Sequence, residues 1–197
     1  MGTIACAAAI TNGEILLEHG QLDLLGAAVA VLRTAGVELR AAVNGVIARR
    51  APTGLVATDV LTQPYPGFAT DLQAPVMALL ATAAGASAIT ETIFEQRFRH
   101  AAELRKMGAE IMVHGRTALV RGVPRLKGAV VTGTDVRAAA ALVIAGLGAA
   151  GETIVGGLNH LDRGYDQMAE KLIACGSEIT RFGQHETSAT TLNSDQT

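Results

Sequence analysis

The sequence predicts an α/β domain made of three β-α-β-α-β-β repeats, of which the outer two are incomplete. Three segments share one plan: an Ala-rich helix, a Gly, a short strand, a second helix that ends at a Gly, and another strand. The glycines of each plan are regularly spaced, with 23 residues between Gly13 and Gly36, 23 between Gly85 and Gly108, and 25 between Gly151 and Gly176. Because helical and strand patterns alternate around these glycines, we interpret the segments as copies of one unit.

The second helix of each copy is indicated by apolar residues at helical spacing, and the Gly that follows is a common helix terminator. These helices are expected over residues 24–35, 100–107 and 165–174. A β-prone run follows each Gly directly, which predicts a strand in each copy. These strands are expected at residues 37–39, 110–113 and 178–180.

Two hairpins are expected after the first two of these strands. Asn44-Gly45 lies between β-prone runs, which is a strong two-residue hairpin signal, and the second copy turns at residues 114–116 and returns through 117–121. The first copy begins inside its opening helix, and the third reaches Phe182 before a polar tail that we expect to be disordered, residues 183–197. We therefore expect one domain over 1–182, with repeats at about 1–53, 54–126 and 127–182, that is a piece of a larger protein.

Composition limits the classes of function. The chain has 197 residues, of which 49% are hydrophobic and 17% charged, enough to bury the core of one domain. A net charge of -2 argues against nucleic acid or an anionic membrane as the main partner, and no uninterrupted apolar run reaches membrane-spanning length. Cys6 and Cys175 form neither a disulfide framework nor a metal motif, so we expect two packing residues, no metal site and a cytoplasmic protein.

Two helix starts carry acidic candidates with nearly the same sequence, T-D-L-Q-A from Thr70 and T-D-V-R-A from Thr134. A Thr-Asp pair at a helix start ordinarily caps free backbone amides, and this is the default role for both aspartates. Asp71, however, follows P-Y-P-G-F-A, a stiff loop of the kind that holds a side chain beside a ligand. Asp71 is therefore a better functional candidate than Asp135.

Several arginines form a second set of candidates. Arg97 and Arg163 each lie 12 residues after a repeat Gly, just before the second helix, whereas the first copy has Leu25 there. Guanidinium groups at helix amino-termini suit phosphate or carboxylate ligands, and the scaffold does not require Arg at this position. Arg137 either joins them or pairs with Asp135. A solvated or ion-paired role is the default for any single Arg, but the set favours an anionic ligand.

Four strings, taken together and in order, resemble the UDP-N-acetylglucosamine 1-carboxyvinyltransferase family. They are P-Y-P-G-F-A-T-D-L-Q-A, T-E-T-I-F-E-Q-R-F-R-H, T-D-V-R-A and H-L-D-R-G-Y-D-Q-M-A-E-K-L, and the likeness runs from about Gly2 to Arg181. In that family two domains, each of three β-α-β-α-β-β units in an inside-out α/β barrel, close over UDP-N-acetylglucosamine and phosphoenolpyruvate. This chain resembles the second domain, the carboxyl-terminal half.

The resemblance implies a transferase without a cofactor that moves the enolpyruvyl group of phosphoenolpyruvate to the 3-hydroxyl of UDP-N-acetylglucosamine, the first committed step of peptidoglycan synthesis. It implies that Asp71 contacts the sugar nucleotide and acts as base, that Ile93 contacts the nucleotide through its backbone, and that Arg163 engages phosphoenolpyruvate on closure. Three more residues match active-site positions of the family: Arg97, Asp135 and Arg137.

The chain also departs from the family pattern. The family's Lys-Asn pair and the Cys of its mobile loop, both in the first domain, have no counterpart, and Pro75 replaces a helix-friendly residue at a first-turn position that tolerates Pro. We therefore expect a fragment that is inactive alone and needs the missing first domain as its partner. Two alternatives stay open: a non-catalytic sugar-nucleotide-binding module left by a truncated gene, and an enolpyruvyl transferase for another acceptor.

Overall fold

The computed structural model describes residues 1–182 and contains helices and strands in the predicted order. The α-helices are α1 (Gly2–Ile10), α2 (Ala28–Thr34), α3 (Gln73–Leu80), α4 (Arg99–Lys106), α5 (Val136–Gly148), α6 (Leu158–Asp162) and α7 (Met168–Ala174). The strands are β1 (Glu14–Glu18), β2 (Val37–Ala42), β3 (Gly45–Arg50), β4 (Val60–Leu61), β5 (Ala86–Thr90), β6 (Glu110–His114), β7 (Thr117–Arg121), β8 (Val130–Thr132) and β9 (Ile154–Gly156). The α/β fold class is thereby confirmed.

Residues Met1–Asp166 form one compact unit, and a second begins at Gln167. The first unit holds three sheets: β1-β3-β2, fully antiparallel; β4-β5-β7-β6, in which only β4 and β5 are parallel; and the parallel pair β8-β9. The second contains α7 and an ion pair between Arg181 and Glu170 at 3.5 Å. The residue limits of the three predicted repeats stay a prediction.

Three apolar helices form the core of the first unit. Helices α1, α3 and α5 are rich in Ala, Val, Leu and Ile on nearly every side, a composition that only a fully buried helix tolerates. They pack on one another, and each also packs on one sheet: α1 on the first, α3 on the second and α5 on the third. Pro75 lies in the first turn of α3, where the missing amide hydrogen costs no helical bond.

The predicted hairpins are present, with β2 antiparallel to β3 and β6 antiparallel to β7. The predicted helix over 24–35 is interrupted. A short 3-10 helix (Leu22–Leu25) ends at Gly26, which has φ +53° and an ideal Cβ position 2.6 Å from the Pro66 carbonyl oxygen. The helix expected from residue 165 begins instead at Met168, after Gln167 at φ +47°.

One strand prediction is wrong. Residues 178–180 have no regular secondary structure, although Glu178-Ile179-Thr180 has β propensity. A strand needs a hydrogen-bonded neighbour, and no described strand pairs with this segment, so propensity alone does not decide its structure. The disorder predicted for residues 183–197 lies outside the described residues.

Candidate functional site

The loop before Asp71 is fixed at both sides. The amide of Gln63 donates to the Phe68 carbonyl at 2.9 Å, and the Pro66 carbonyl accepts from the amide of Ala27 at 2.9 Å, which ties the loop to the start of α2. Asp71 then lies in a short 3-10 helix (Thr70–Leu72) just before α3. Its side chain accepts no capping hydrogen bond there and is 60% exposed, so it is available for other partners.

Two arginines from separate parts of the chain meet the Asp71 carboxylate. Oδ1 accepts from Arg137 Nε at 2.8 Å, lies 2.7 Å from Arg137 Nη2, and accepts from Arg97 Nη2 at 3.4 Å. The Arg97 guanidinium also stacks on the Phe94 ring, with its carbon 4.5 Å from the ring centroid, and is only 19% exposed. The structure thus brings together three of the predicted site residues in one exposed cluster of a carboxylate and two fixed guanidinium groups.

Asp135 has the capping role that was the default for both aspartates. Its Oδ1 accepts from the amides of Arg137 at 2.9 Å and Ala138 at 3.0 Å, as expected of a residue at the N-cap of α5. By capping that helix, Asp135 fixes the backbone from which Arg137 reaches Asp71. It is therefore a neighbour of the cluster and not a member of it.

Arg163 is not joined to the cluster by any hydrogen bond or ion pair. It follows α6, is exposed, and makes no such contact among the described residues of the first unit. The adjoining Gly164 is close to the first turn of α5, since a Cβ there would lie 2.5 Å from Val136 Cγ1. The Tyr165 hydroxyl lies 2.9 Å from Thr3 Oγ1, and burial raises the pKa of this phenol. Arg163 thus lies next to a residue that packs on α5, and its guanidinium has no partner among residues 1–166.

The sequence profile of the EPSP synthase (3-phosphoshikimate 1-carboxyvinyltransferase) family matches residues 2–172, most of the chain. The chain belongs to the EPSP synthase family. Curated relatives include UDP-N-acetylglucosamine 1-carboxyvinyltransferases from Granulibacter bethesdensis, 56% identical over 181 residues, and Gluconobacter oxydans, 53% over 180. These alignments cover 92% and 91% of this chain but 43% of each relative, so the chain spans less than half of their length. The resemblance inferred from the motifs is confirmed.

Solved structures agree with the family. The enolpyruvyl transferase NikO from Streptomyces tendae has a TM-score of 0.79 and 29% identity, covering 90% of this chain and 42% of NikO. An EPSP synthase from Acinetobacter baumannii, at 24% identity and a TM-score of 0.56 over 78% of this chain and 37% of its own, shows the shared fold alone.

One residue of the site region, Glu91, is not predicted from the sequence of this EPSP synthase family chain. It directly follows β5 and is only 1% exposed, yet its carboxylate accepts four hydrogen bonds. Burial alone would raise the pKa of this carboxyl, but the hydrogen bonds from Thr70, Ile93, Thr62 and Phe94 outweigh it and the pKa lies below its ordinary value. A glutamate between two threonines at the end of an apolar strand is the sequence signal that could have indicated it.

The cysteines and the possible metal ligands of residues 1–182 form no second candidate site. Cys6 is fully buried, which confirms it as a packing residue, and burial raises the pKa of its thiol to about 12. Cys175 is exposed, and the packing prediction for it is wrong. Within residues 1–182 no group of three or more His, Cys, Asp or Glu side chains could hold a metal ion. Over the same residues, no helix combines the length and hydropathy needed to span a membrane.

Proposed function

We propose that this chain forms half of the active site of a cytoplasmic enzyme that transfers the enolpyruvyl group of phosphoenolpyruvate to the 3-hydroxyl of UDP-N-acetylglucosamine. The observation that carries the proposal is the Asp71 carboxylate, which caps no helix and is held in the open by Arg97 and Arg137. The names of the relatives that are 52–56% identical support the choice of acceptor and donor.

The chemistry that this cluster supports is addition of a hydroxyl to an enol. The Asp71 carboxylate accepts the 3-hydroxyl proton as the oxygen adds to C2 of phosphoenolpyruvate, and a general acid of the partner domain gives a proton to C3, which yields a tetrahedral intermediate. Loss of a C3 proton and of phosphate then restores the double bond. Arg97 and Arg137 stabilise the negative charge near Asp71, and the guanidinium of Arg163 binds the carboxylate or phosphate of phosphoenolpyruvate. Ile93 contacts the sugar nucleotide through its backbone.

The other half of the site lies in a partner domain. The Lys-Asn pair and the mobile Cys loop that the family pattern places in the first domain have no equivalent in these 197 residues. Transition-state stabilisation at a reacting phosphate is shared among many groups, so losing half of them removes most of the rate enhancement. We therefore expect no enolpyruvyl transfer from this chain alone.

Reconstitution tests the proposal directly. The chain is mixed with the amino-terminal half of the Granulibacter bethesdensis relative, and phosphate release from phosphoenolpyruvate and UDP-N-acetylglucosamine is followed. We expect turnover from the mixture only, with Asp71→Asn lowering kcat by about 10²-fold or more, the usual contribution of a general base. Asp23→Asn is the matched control, because Asp23 also lies in the first turn of a 3-10 helix but outside the cluster. Full turnover with Asp71→Asn contradicts the base assignment.

The acceptor is tested in the same assay. Structural similarity to NikO and membership of a family named for 3-phosphoshikimate transfer make other acceptors a reasonable second candidate. We expect phosphate release with UDP-N-acetylglucosamine and none with shikimate 3-phosphate. Binding of the sugar nucleotide without turnover, in a mixture whose halves are shown to associate, would favour the non-catalytic module instead.

A further inference from the structure

We propose that Glu91 is a positioning residue of this site, which fixes the segment carrying Asp71 relative to the loop carrying Ile93 and Arg97. The expected effect of Glu91 on kcat rests on the proposed function, whereas its expected effect on the order of these backbone segments does not. No step of the proposed reaction uses Glu91 itself, and its carboxylate is too buried to reach a substrate.

The contacts of Glu91 link three parts of the chain. Oε1 accepts from Thr62 Oγ1 at 2.9 Å and from the amides of Ile93 at 2.9 Å and Phe94 at 3.2 Å, while Oε2 accepts from Thr70 Oγ1 at 2.8 Å. Thr62 directly follows β4, so one carboxylate joins the end of a strand, the residue before Asp71 and the loop after β5. Both carboxylate oxygens of Glu91 accept hydrogen bonds, and they accept them from different segments of the chain.

These contacts matter because Thr70 directly precedes Asp71, and because the amides of Ile93 and Phe94 have no other acceptor among the described residues. The 3-10 helix of Asp71 has no side-chain cap, so the bond from Thr70 to Glu91 is the side-chain contact that fixes its first residue. The amide of Phe94 belongs to the residue whose ring supports the Arg97 guanidinium. Moving the Glu91 carboxylate would therefore displace the base and one of its two arginines together, and a misplacement of about 1 Å can cost 10²-fold in rate.

A positioning role through hydrogen bonds differs from a role through charge. No Lys, Arg or His in residues 1–182 forms an ion pair with Glu91, so the four hydrogen bonds alone hold the buried charge. A Gln at this position can keep them all, because its amide oxygen replaces Oε1 and its NH2 donates to Thr70 Oγ1, which turns to accept. An Ala keeps none. Glu91→Gln should therefore rescue what Glu91→Ala loses.

The first test needs no enzyme activity. Hydrogen exchange is measured at the amides of Ile93 and Phe94 in the wild-type chain, Glu91→Ala, Glu91→Gln and Ile89→Val. Ile89→Val is the matched control, since Ile89 is fully buried on the same strand and its loss of one methylene destabilises the fold without touching the loop. We expect Glu91→Ala to speed exchange at both amides by about tenfold relative to the rest of β5, and Glu91→Gln and Ile89→Val to show no selective change.

The second test uses the reconstituted enzyme. We expect Glu91→Ala to lower kcat by about 10²-fold with a smaller change in KM, and Glu91→Gln to recover to within about tenfold of wild type. Should Glu91→Ala fail to fold, Thr70→Val replaces it, because this variant removes only the bond toward Asp71 and should lower kcat while leaving the Ile93 and Phe94 amides protected.

The two tests separate the two proposals. A wild-type mixture without turnover contradicts the proposed function, yet the exchange test still decides the role of Glu91. Unchanged exchange at Ile93 and Phe94 in Glu91→Ala overturns the positioning role, and so does a Glu91→Gln enzyme as slow as Glu91→Ala.

Discussion

Two aspartates in almost identical local sequences have different roles because their backbones differ. Asp135 is itself the N-cap of α5 and has an extended backbone, with φ -157° and ψ 173°, so its carboxylate folds back onto the free amides. In the other copy the extended residue is Ala69, and Asp71 lies two positions further on, inside the 3-10 helix. Its side chain cannot reach the amides it would have to cap, which leaves the carboxylate for Arg97 and Arg137.

This difference predicts opposite effects of the two aspartates on stability. Asp135→Ala should lower the free energy of unfolding by about 1 kcal/mol, because two helix amides lose their acceptor. Asp71→Ala should lower it by less than about 0.5 kcal/mol, because the Asp71 carboxylate is 60% exposed and ion pairs open to solvent contribute little. Urea unfolding of the two variants beside wild type provides the measurement. Equal losses would mean that Asp71 has a structural role that its contacts do not show.

A buried histidine predicts how stability depends on pH. Burial lowers the pKa of His100 from 6.5 to about 4, with Asp135 partly opposing and Arg97 adding to the effect, and no hydrogen bond reaches Nε2 from the described residues. Between pH 6.5 and about pH 4 the imidazole of His100 is protonated in the unfolded state and neutral in the folded state. The free energy of unfolding therefore decreases as the pH falls through this range. From pH 7 to pH 5 we expect a loss of about 2 kcal/mol in the free energy of unfolding.

Urea titrations at both pH values, with two variants, test this prediction. His100→Gln should remove most of the pH dependence, while His114→Gln, at an exposed hairpin position, should retain it. Glu91 does not affect this comparison. Because its pKa in the folded state is below the ordinary 4.5, the stability that its charged form contributes is lost only as the pH falls below about 4.5. A His100→Gln chain with the wild-type slope would place the responsible proton elsewhere.

At the scale of elements, the parts that the sequence predicts are those that local patterns determine. The glycines after the helices and the Asn44-Gly45 hairpin act within a few residues, and the structure has these elements where expected. The break at Gly26 depends on the Pro66 carbonyl, 40 residues away in sequence, and no local pattern reports such an approach. The strand expected at residues 178–180 is absent for the related reason that pairing is not a local property.

The candidate site likewise combines features that local patterns determine with features that depend on distant parts of the chain. Asp71, Arg97 and Arg137 could be selected by residue type and by their positions at helix starts, but their mutual contacts span 26 and 66 residues. Glu91 was missed because its importance lies in partners 21 and 29 residues away, Thr70 and Thr62, whereas a glutamate is ordinarily expected at the surface.

The repeat glycines allow an element-scale prediction with an internal control. Gly36 and Gly108 end equivalent helices with nearly the same backbone, at φ +86° and +87°. A Cβ on Gly36 would lie 2.1 Å from the Gly54 carbonyl oxygen, whereas nothing lies within 4 Å of a Cβ on Gly108. Gly108→Ala should lower the free energy of unfolding by about 1–2 kcal/mol because of the left-handed backbone alone. Gly36→Ala should lower it by at least about 1 kcal/mol more because of the clash.

Thermal unfolding of the two Ala variants measures the difference. Both variants share the same new residue and the same unfolded-state effect, so the difference reports the clash itself. Equal destabilisation would show that the loop at Gly54 moves away from a new Cβ on Gly36 at no cost in free energy. The close approach of Gly36 to Gly54 would then not restrain the first hairpin.

At the scale of the first unit, the composition explains how three sheets surround a shared set of helices. Ala residues occupy four consecutive buried positions of α5, residues 138–141, and α1 contributes four more buried Ala residues and the buried Cys6. Small side chains let α1, α3 and α5 approach closely, so a core with few aromatic residues still excludes water. The candidate site then lies where the amino-terminal ends of α3, α4 and α5 meet, which is why Asp71, Arg97 and Arg137 converge.

The sheets of this unit differ in how many strands are paired on both sides, and this predicts an order of local stability. In the second sheet β5 and β7 each have two neighbours, in the first only β3 does, and in the third, over the described residues, neither β8 nor β9 does. Strands with partners on both sides open only with larger parts of the fold, so the middle repeat should be the most protected from hydrogen exchange. The third sheet should open first.

Two glycine amides make a matched comparison of these sheets. Gly122 follows β7 and donates to the Gly85 carbonyl at 3.0 Å, and Gly133 follows β8 and donates to the Gly156 carbonyl at 2.9 Å. With the same residue type and nearly equal hydrogen bonds, their protection differs mainly through the sheet that must open. We expect Gly122 to exchange at least about tenfold more slowly than Gly133, after correction for intrinsic rates, in exchange followed by NMR on dilute chain. Equal protection at the two glycines would mean that the three sheets open as one cooperative unit and that the number of paired neighbours does not govern their stability.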